Sequence, residues 1–292
     1  MSRTSLKVDG RTIAITHADR ALFPDGLTKR DLAEYYRRIA PFALAHYRDR
    51  PLSMERYPDG IEAGGFFQKD VPDFFPDWID RVELKKEGGT ITHAIANNAA
   101  TLVYLANLAC ITPHLALARA DQPNRPDRLV IDLDPSDNDF SKVRMAAAHV
   151  REVLEEKSLK SFVQTTGSRG LHIVVPLDRS LDFEAVRAWA RKFGEAVVAR
   201  DSGLMTVEQR KAKRGDRVFL DLLRNAYGQT SVAPYAVRAR HGAPVATPIW
   251  WDEALSSAMQ PRKYTVRNIF RRLAQIKDPW AELFDSAQRL CD

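Results

Sequence analysis

The residues that most invite chemistry are Asp132 and Asp134, in the stretch Arg128-Leu129-Val130-Ile131-Asp132-Leu133-Asp134-Pro135. Arg128 to Leu133 is short, β-branched and apolar, the pattern of a buried strand. Side chains alternate along a strand, so the two carboxylates share one face, with Leu133 opposite. Pro135 lacks a donor and helps end the strand. Two like charges this close need a cation, a shared proton or water between them. Hard divalent ions such as Mg²⁺ and Mn²⁺ choose oxygen ligands of this kind. Asp-Pro is also a common turn starter, so a strand-end Asp followed by a turn Asp is the competing reading. A third carboxylate, Asp221, interrupts the apolar run 218–225, which reads as one strand. Asp is rarely buried unpaired, so Asp221 calls for a metal or for Arg224.

Donors that could face these carboxylates follow. Thr166-Gly167-Ser168-Arg169-Gly170 is a small polar turn between strands predicted over 161–165 and 171–177, and His172 is the first polar position of the second. The free N–H groups of such a turn, with Arg169 and His172, make a phosphate nest, although glycines around Ser-Arg also occur in plain hairpins. Arg238 and Arg240 are expected on one face of a strand over 234–240. Asp132, Asp134 and Asp221 together could hold two cations about 4 Å apart, the geometry of in-line phosphoryl or nucleotidyl transfer. His172, Arg224 and Arg238 are then the natural groups to hold a triphosphate.

Other residues carry two readings each. Phe66 and Phe67 are adjacent and cannot both face one core on a strand. One exposed ring beside Lys69 suits stacking on a nucleic-acid base, while a loop aromatic folded onto the core is the alternative. His114, opening a strand-like stretch, is a core histidine or a site residue. Lys29 and Arg30 begin a helix predicted from a Thr28 N-cap to about residue 47, with an apolar face of Leu32, Tyr35, Tyr36, Ile39 and Phe42. Cations are unfavourable at a helix start unless an anion binds there too; two solvated surface charges are the other reading. The loop 209–217 is strongly basic and adjoins the Asp221 segment.

The elements that must position these residues alternate. A hairpin turning at Asp9-Gly10 heads the segment 1–27, and a second hairpin turns at Gly88-Gly89. Helices are predicted over 97–109, 141–157, 182–200, 265–276 and 280–290, the last two with Arg267, Arg271 and Arg272 as surface charge. No composition break separates independent domains, so one domain over 1–292, built of two interleaved halves, is expected. The chain has 292 residues and a net charge of +6, enough for a substantial core and suited to a polyanionic partner. Two cysteines, Cys110 and Cys291, exclude a disulfide framework or a cysteine-rich zinc site and fit a reducing cytoplasm. No apolar run reaches the roughly 20 residues of a membrane span, and no signal-peptide core is seen, so no membrane partner is expected.

Asp132-Leu133-Asp134, Ser168-Arg169-Gly170-Leu171-His172 and Asp221-Leu222-Leu223-Arg224-Asn225, in this order, resemble the archaeo-eukaryotic primase superfamily, in particular the polymerase domains of bacterial ligase D in non-homologous end joining. The resemblance runs from Arg20-Ala21-Leu22-Phe23-Pro24 to the last predicted helices. It implies a mixed α+β fold with an RRM-like catalytic sheet and a second αβ half around a cleft. It implies two metal ions, Mn²⁺ favoured over Mg²⁺, on Asp132, Asp134 and Asp221. A nucleoside triphosphate would be held by His172, Arg224 and Arg238, with Thr166, Ser168 and Arg169 nearby. Phe66 and Phe67 would stack on bases, Arg20 and Lys29 would hold the 5′-phosphate of a DNA end or gap, and His114 falls near a site position. Family members often carry Lys in place of Arg20; both are cations, with different geometry. The implied activity is template-dependent addition of ribonucleotides, and less readily deoxyribonucleotides, to 3′ ends, in a bacterial cytoplasm at the nucleoid. Ku and ligase modules would act in cis or in trans. The chain carries no ligase or phosphoesterase module, so a stand-alone polymerase or an excised domain is expected. A primase starting chains de novo, a silent end-binding module and a metal-dependent nuclease are the competing readings.

Overall fold

Asp9 and Gly10 both adopt the left-handed region, with φ of 49° and 72°. This is the turn that matches the twist of two antiparallel strands, here β1 (Arg3–Val8) and β2 (Arg11–Thr16). The computed structural model describes residues 3–291; Met1 and Ser2 of the predicted 1–27 segment, and Asp292, lie outside the described residues. Helix α1 (Lys29–Tyr47) starts on a Thr28–Asp31 capping box. Leu32, Tyr35, Tyr36 and Ile39 are buried as expected, but Phe42 is 40% exposed. The 3.6-residue period carries the stripe to Ala43 instead.

The chain then builds β3 (Pro51–Arg56), β4 (Phe66–Gln68), β5 (Arg81–Lys86), β6 (Gly89–Ile95), α2 (Ala99–Asn107) and β7 (Cys110–Ala116). Next come β8 (Arg128–Pro135), α3 (Phe140–Glu156), β9 (Phe162–Thr165), β10 (Leu171–Pro176) and α4 (Phe183–Arg200). The remainder is β11 (Met205–Thr206), β12 (Val218–Asp221), β13 (Thr230–Val232), β14 (Thr247–Ile249), α5 (Trp251–Leu255) and α6 (Ile269–Leu273).

Two sheets of six strands result. One runs β11-β12-β8-β10-β9-β14; the other runs β13-β7-β3-β6-β5, with β4 added on β3. In the first, β8-α3-β9-β10-α4-β12 is a split βαββαβ unit with central order β12-β8-β10-β9, the RRM-like arrangement expected. Its helices bury the predicted stripe Val143, Ala146, Ala147, Val150, Val153 and Leu154 against the sheet. The halves interleave: β13 crosses to the β7 edge, and β14 returns to β9. Among the described residues no helix is long and apolar enough to cross a membrane.

Four expectations are corrected. The strand over 218–225 stops at Asp221 and passes into a 3₁₀ turn, Leu223–Asn225. The buried Asn225 side chain replaces the strand backbone there, accepting from Val130 N at 2.8 Å and donating to Val130 O at 2.7 Å. No strand forms over 234–240, where Pro234 precedes Tyr235 at φ 64° and only a Val237–Val245 bridge survives. The two tail helices shrink to α6 and a 3₁₀ turn, Phe284–Ser286, because the tail folds back on the sheet: Asp178 N donates to Gln288 O at 2.9 Å and Gln288 N to Pro176 O at 3.2 Å. Arg272 is not surface charge but is buried against Glu253.

Candidate active site

The register of the first sheet builds the centre. Asp132 on β8 lies directly opposite His172 on β10 and opposite Asp221 on β12, so the three side chains form one cross-strand row on one face. His172 Nε2 stands 3.4 Å from Asp132 Oδ2. Arg224 Nε sits 3.7 Å from Asp221 and 3.9 Å from Asp132, the partner Asp221 required. Burial opposes ionisation of Asp132, but His172, Arg224 and Arg238 outweigh it and hold the carboxyl below its usual range. Asp221 goes the other way: burial, then the neighbouring Asp132, raise it.

A cleft of about 280 Å³ opens above His172 and Asp132, with Asp221 beside its lining rather than in it. It is lined by Asp132, Asp134, Thr166, Ser168, Arg169, His172, Arg224, Arg238 and His114, all predicted, and by Arg240, Thr230, Ser231 and Val232. Asp134 shares its face with Asp132 and pairs with Arg169 at 3.0 Å. The 166–170 turn is a structured hook rather than an open nest. Thr166 Oγ1 accepts from both Ser168 N and Gly170 N at 3.2 Å, so those N–H groups are already used. Arg238 donates to Thr166 O at 3.0 Å, and Arg262 donates to Ser168 O at 2.9 Å, holding the turn from two sides. Gly170 must be glycine, since a Cβ there would lie 1.8 Å from Leu133 O.

The second sheet forms the other wall. His114 belongs to the site, not the interior: its Nε2 meets Glu55 Oε2 at 3.1 Å, and Tyr57 donates to Glu55 at 2.6 Å. Burial works against Glu55, yet these two bonds hold its carboxyl at about 2. It is therefore ionised, and His114 must present Nε2–H to it. Phe66 and Phe67 are both exposed, at 49% and 58%, contrary to the folded-in alternative. Phe67 meets the His114 ring at 5.1 Å, and Arg56 lies over Phe66 at 5.4 Å.

Arg20 and Lys29 lie outside the cleft lining. Lys29 is not a solvated charge: it is buried, with Nζ bonded to Thr16 Oγ1 at 3.3 Å and Asn107 O at 3.0 Å. Burial, then Arg20 and Arg56, bring its pKa down to about 8. The first N–H groups of the helix are taken: Lys29 N by Arg20 O, Arg30 N by Ala18 O, and Asp31 N by Thr28. An anion here would answer a crowded ammonium rather than a bare helix end. Arg20 itself pairs with Asp59 at 2.6 Å.

The model of the LigD primase-polymerase domain matches residues 28–280. The chain belongs to this family of polymerase-type enzymes. It is similar to the Mycobacterium tuberculosis multifunctional non-homologous end joining DNA repair protein LigD, at 30% identity over 276 residues, covering 91% of this chain and 36% of that protein. The Pseudomonas aeruginosa LigD is 31% identical over 282 residues, covering 95% and 34%. The bifunctional LigD of Bacillus subtilis is 27% identical over 279 residues, covering 94% and 45%. The chain thus spans a third to under half of these relatives. Among solved structures, the polymerase domain of M. tuberculosis ligase D in complex with DNA matches with TM-score 0.88 at 30% identity, covering 94% of this chain and 99% of that one.

Within this LigD-family fold the carboxylates suit a hard divalent cation by donor type. Among the described residues no group of three or more His, Cys, Asp or Glu side chains closes into a ready cage; Arg169 and Arg224 lie against the carboxylates instead. Sequence reading missed Glu55, Tyr57 and Gln164. The buried Gln164, whose Nε2 lies 3.5 Å from His172 Nδ1, backs that ring. Gln164 could have been found, because it pairs with His172 across adjacent strands; Glu55 could not, because it reaches the cleft by pairing β3 with β7.

Proposed function

We propose that this chain is a template-dependent nucleotidyltransferase. It adds ribonucleotides, and less readily deoxyribonucleotides, to 3′ ends and fills gaps at double-strand breaks in non-homologous end joining. The observation that carries this reading is the row His172–Asp132–Asp221, facing a cleft lined by Arg169, Arg224, Arg238 and Arg240. Carboxylates on one wall and guanidiniums around them suit a triphosphate that must be positioned and neutralised rather than attacked by a side chain. Asp132, Asp134 and Asp221 would hold two divalent ions, Mn²⁺ or Mg²⁺, which supply charge neutralisation at the transferring phosphate. Arg224, Arg238 and His172 grip the phosphates, and the Thr166–Ser168 hook shapes the floor beside them. Phe66 and Phe67 offer exposed faces to bases of the template or nucleotide. Arg20 and Lys29 hold the 5′-phosphate of a DNA end or gap. Ku and ligase modules, in cis or in trans, are the partners this role requires.

The test is incubation with labelled primer-template, Mn²⁺ and each nucleotide in turn. Primer extension directed by the template is expected. Synthesis without a primer would favour the primase reading, and shortening a nuclease. An inert but folded protein would leave only end binding.

A further inference from the structure

A guanidinium removed from water needs acceptors, because arginine does not shed its proton at neutral pH. Four arginines converge at the end of the catalytic sheet opposite its carboxylates. Arg128 opens β8 and pairs in register with Pro176, which closes β10; Asp132 lies four residues further along β8. Together with Arg50, Arg119 and Arg179, Arg128 lines a separate cavity of about 200 Å³.

The charges there do not balance. Asp127 faces three guanidiniums: Arg50 at 2.5 Å, Arg119 at 2.9 Å and Arg128 at 3.7 Å. The last distance is too long for a hydrogen bond. Arg179 takes Asp121 at 2.7 and 3.0 Å. Four cations thus meet two carboxylates. Arg50 spends its remaining donors on His46 O and Ala116 O. Arg128 is 5% exposed, and its Nε and Nη2 have no hydrogen-bond acceptor among the described residues; nor has Arg179 Nε. Nearby His46 adds no further charge: burial, then Arg128 and Arg50, push its pKa down to about 3, so it is neutral. Burial, then Arg50, also lower Arg128 to about 9, which still leaves it charged at pH 7.

We propose that this cavity is an anion site for a phosphate-class oxyanion, with Arg128 on its floor and Arg119 and Arg179 at its mouth. The surplus of two positive charges matches the charge of a phosphate group, about −1.5 to −2 at neutral pH. The planar forks suit its oxygens. The mouth residues are partly exposed, with side chains 26% and 23% accessible, so an anion can enter from solvent. The anion is either free phosphate or a phosphate at a nucleic-acid terminus, since both present the same oxygens.

The test measures Tm of the full chain against inorganic phosphate, with chloride at matched ionic strength. Arg224→Ala/Arg238→Ala serves as background, to remove the catalytic cleft's own phosphate grip. A phosphate-specific rise in Tm is expected in that background, and adding Arg119→Ala/Arg179→Ala should abolish it, with at least a ten-fold loss of phosphate affinity. Arg128→Met gives an independent readout: it should erase the phosphate response while raising Tm in chloride, because a buried charge without a hydrogen-bonded acceptor at Nε and Nη2 has gone. No phosphate-specific rise in the background, or a rise that survives the added pair, overturns the site. So does an Arg128→Met protein that keeps its phosphate response. If the mouth-dependent rise occurs with a 5′-phosphorylated oligonucleotide and not with its 5′-hydroxyl twin, the anion is a nucleic-acid terminus; a response to inorganic phosphate alone assigns it to the free ion.

Discussion

The two walls of the cleft are made differently. On the RRM-like sheet, His172, Asp132 and Asp221 are consecutive partners across three hydrogen-bonded strands, so the ladder fixes their spacing. Beside the opposite wall, Phe66 and Phe67 sit on a three-residue strand with both rings exposed, and His114 is aimed by Glu55 rather than by register. Groups that must meet reacting atoms need sub-ångström placement, which a ladder provides. Groups that meet bases of any sequence need area and freedom, which exposed rings provide.

The sharpest way to break this contrast is on the ladder. Asp132→Ala, Asp134→Ala and Asp221→Ala should each lower kcat by about 10³-fold or more, on the scale of losing a charge-stabilising group. Each protein should stay folded, because Asp132 and Asp134 line the cleft and Asp221 lies opposite Asp132 at the end of its strand. Extension within ten-fold of wild type by any folded single variant would remove that residue from the machinery. Gly170→Ala tests the scaffold instead. Its Cβ would collide with Leu133 O, one register step from Asp132, so β8 and β10 must separate. We expect a loss of at least about 3 kcal/mol, the range of severe steric mutations, with extension lost in parallel. A normal denaturation midpoint would mean that the turn can shift without disturbing the row.

The same contrast explains what was legible in the sequence. The βαββαβ unit follows from its own local patterns: short continuous apolar runs for its strands, Asp139 and Asp182 capping their helices, and small residues at the turns. Asp132 and Asp134 are two residues apart on one strand, so their shared face needs no tertiary knowledge. Glu55 and Lys29 depend on which strands and loops meet. Lys29 reads as a solvated charge because nothing local reveals that β2 and α2 close over it, through Thr16 and Asn107. The strand predicted over 218–225 failed for a related reason. Only tertiary contact shows that the Asn225 amide substitutes for backbone against Val130.

On the aromatic wall, smaller effects are expected. Phe66→Ala and Phe67→Ala should each weaken primer-template binding by about 1–3 kcal/mol, the measured range for base–aromatic stacking. Folding stability should change by no more than about 0.5 kcal/mol, as for surface substitutions. Fluorescence anisotropy for Kd and a thermal melt separate the two quantities. A large drop in Tm with unchanged Kd would make the rings packing elements after all.

An effect of similar size concerns Lys29 and turns on pH. An ammonium already crowded by burial, Arg20 and Arg56 gains a counter-charge when a 5′-phosphate arrives. One charge-assisted contact is worth about 1.5–3 kcal/mol. A gap bearing a 5′-phosphate should therefore bind roughly ten-fold tighter than one with a 5′-hydroxyl at pH 7, since 1.4 kcal/mol is a factor of ten. The sign with pH follows from the lowered pKa. Lys29 loses its proton as pH rises through about 8, whereas the phosphate's second ionisation, near 6, is already complete. The preference should therefore shrink between pH 7 and 9, with its midpoint displaced upward because bound phosphate favours the charged form. In stability the same shift acts oppositely. Between about 8 and the ordinary 10.5 the unfolded chain holds the Lys29 proton more tightly, so this residue's contribution to folding rises with pH there. Lys29→Met should flatten both profiles and leave extension of an open primer-template largely intact. Kd for the paired DNA ends, at one fixed salt concentration, is the measurement. A preference that is independent of pH, or that persists in Lys29→Met, would transfer the phosphate to Arg20 alone.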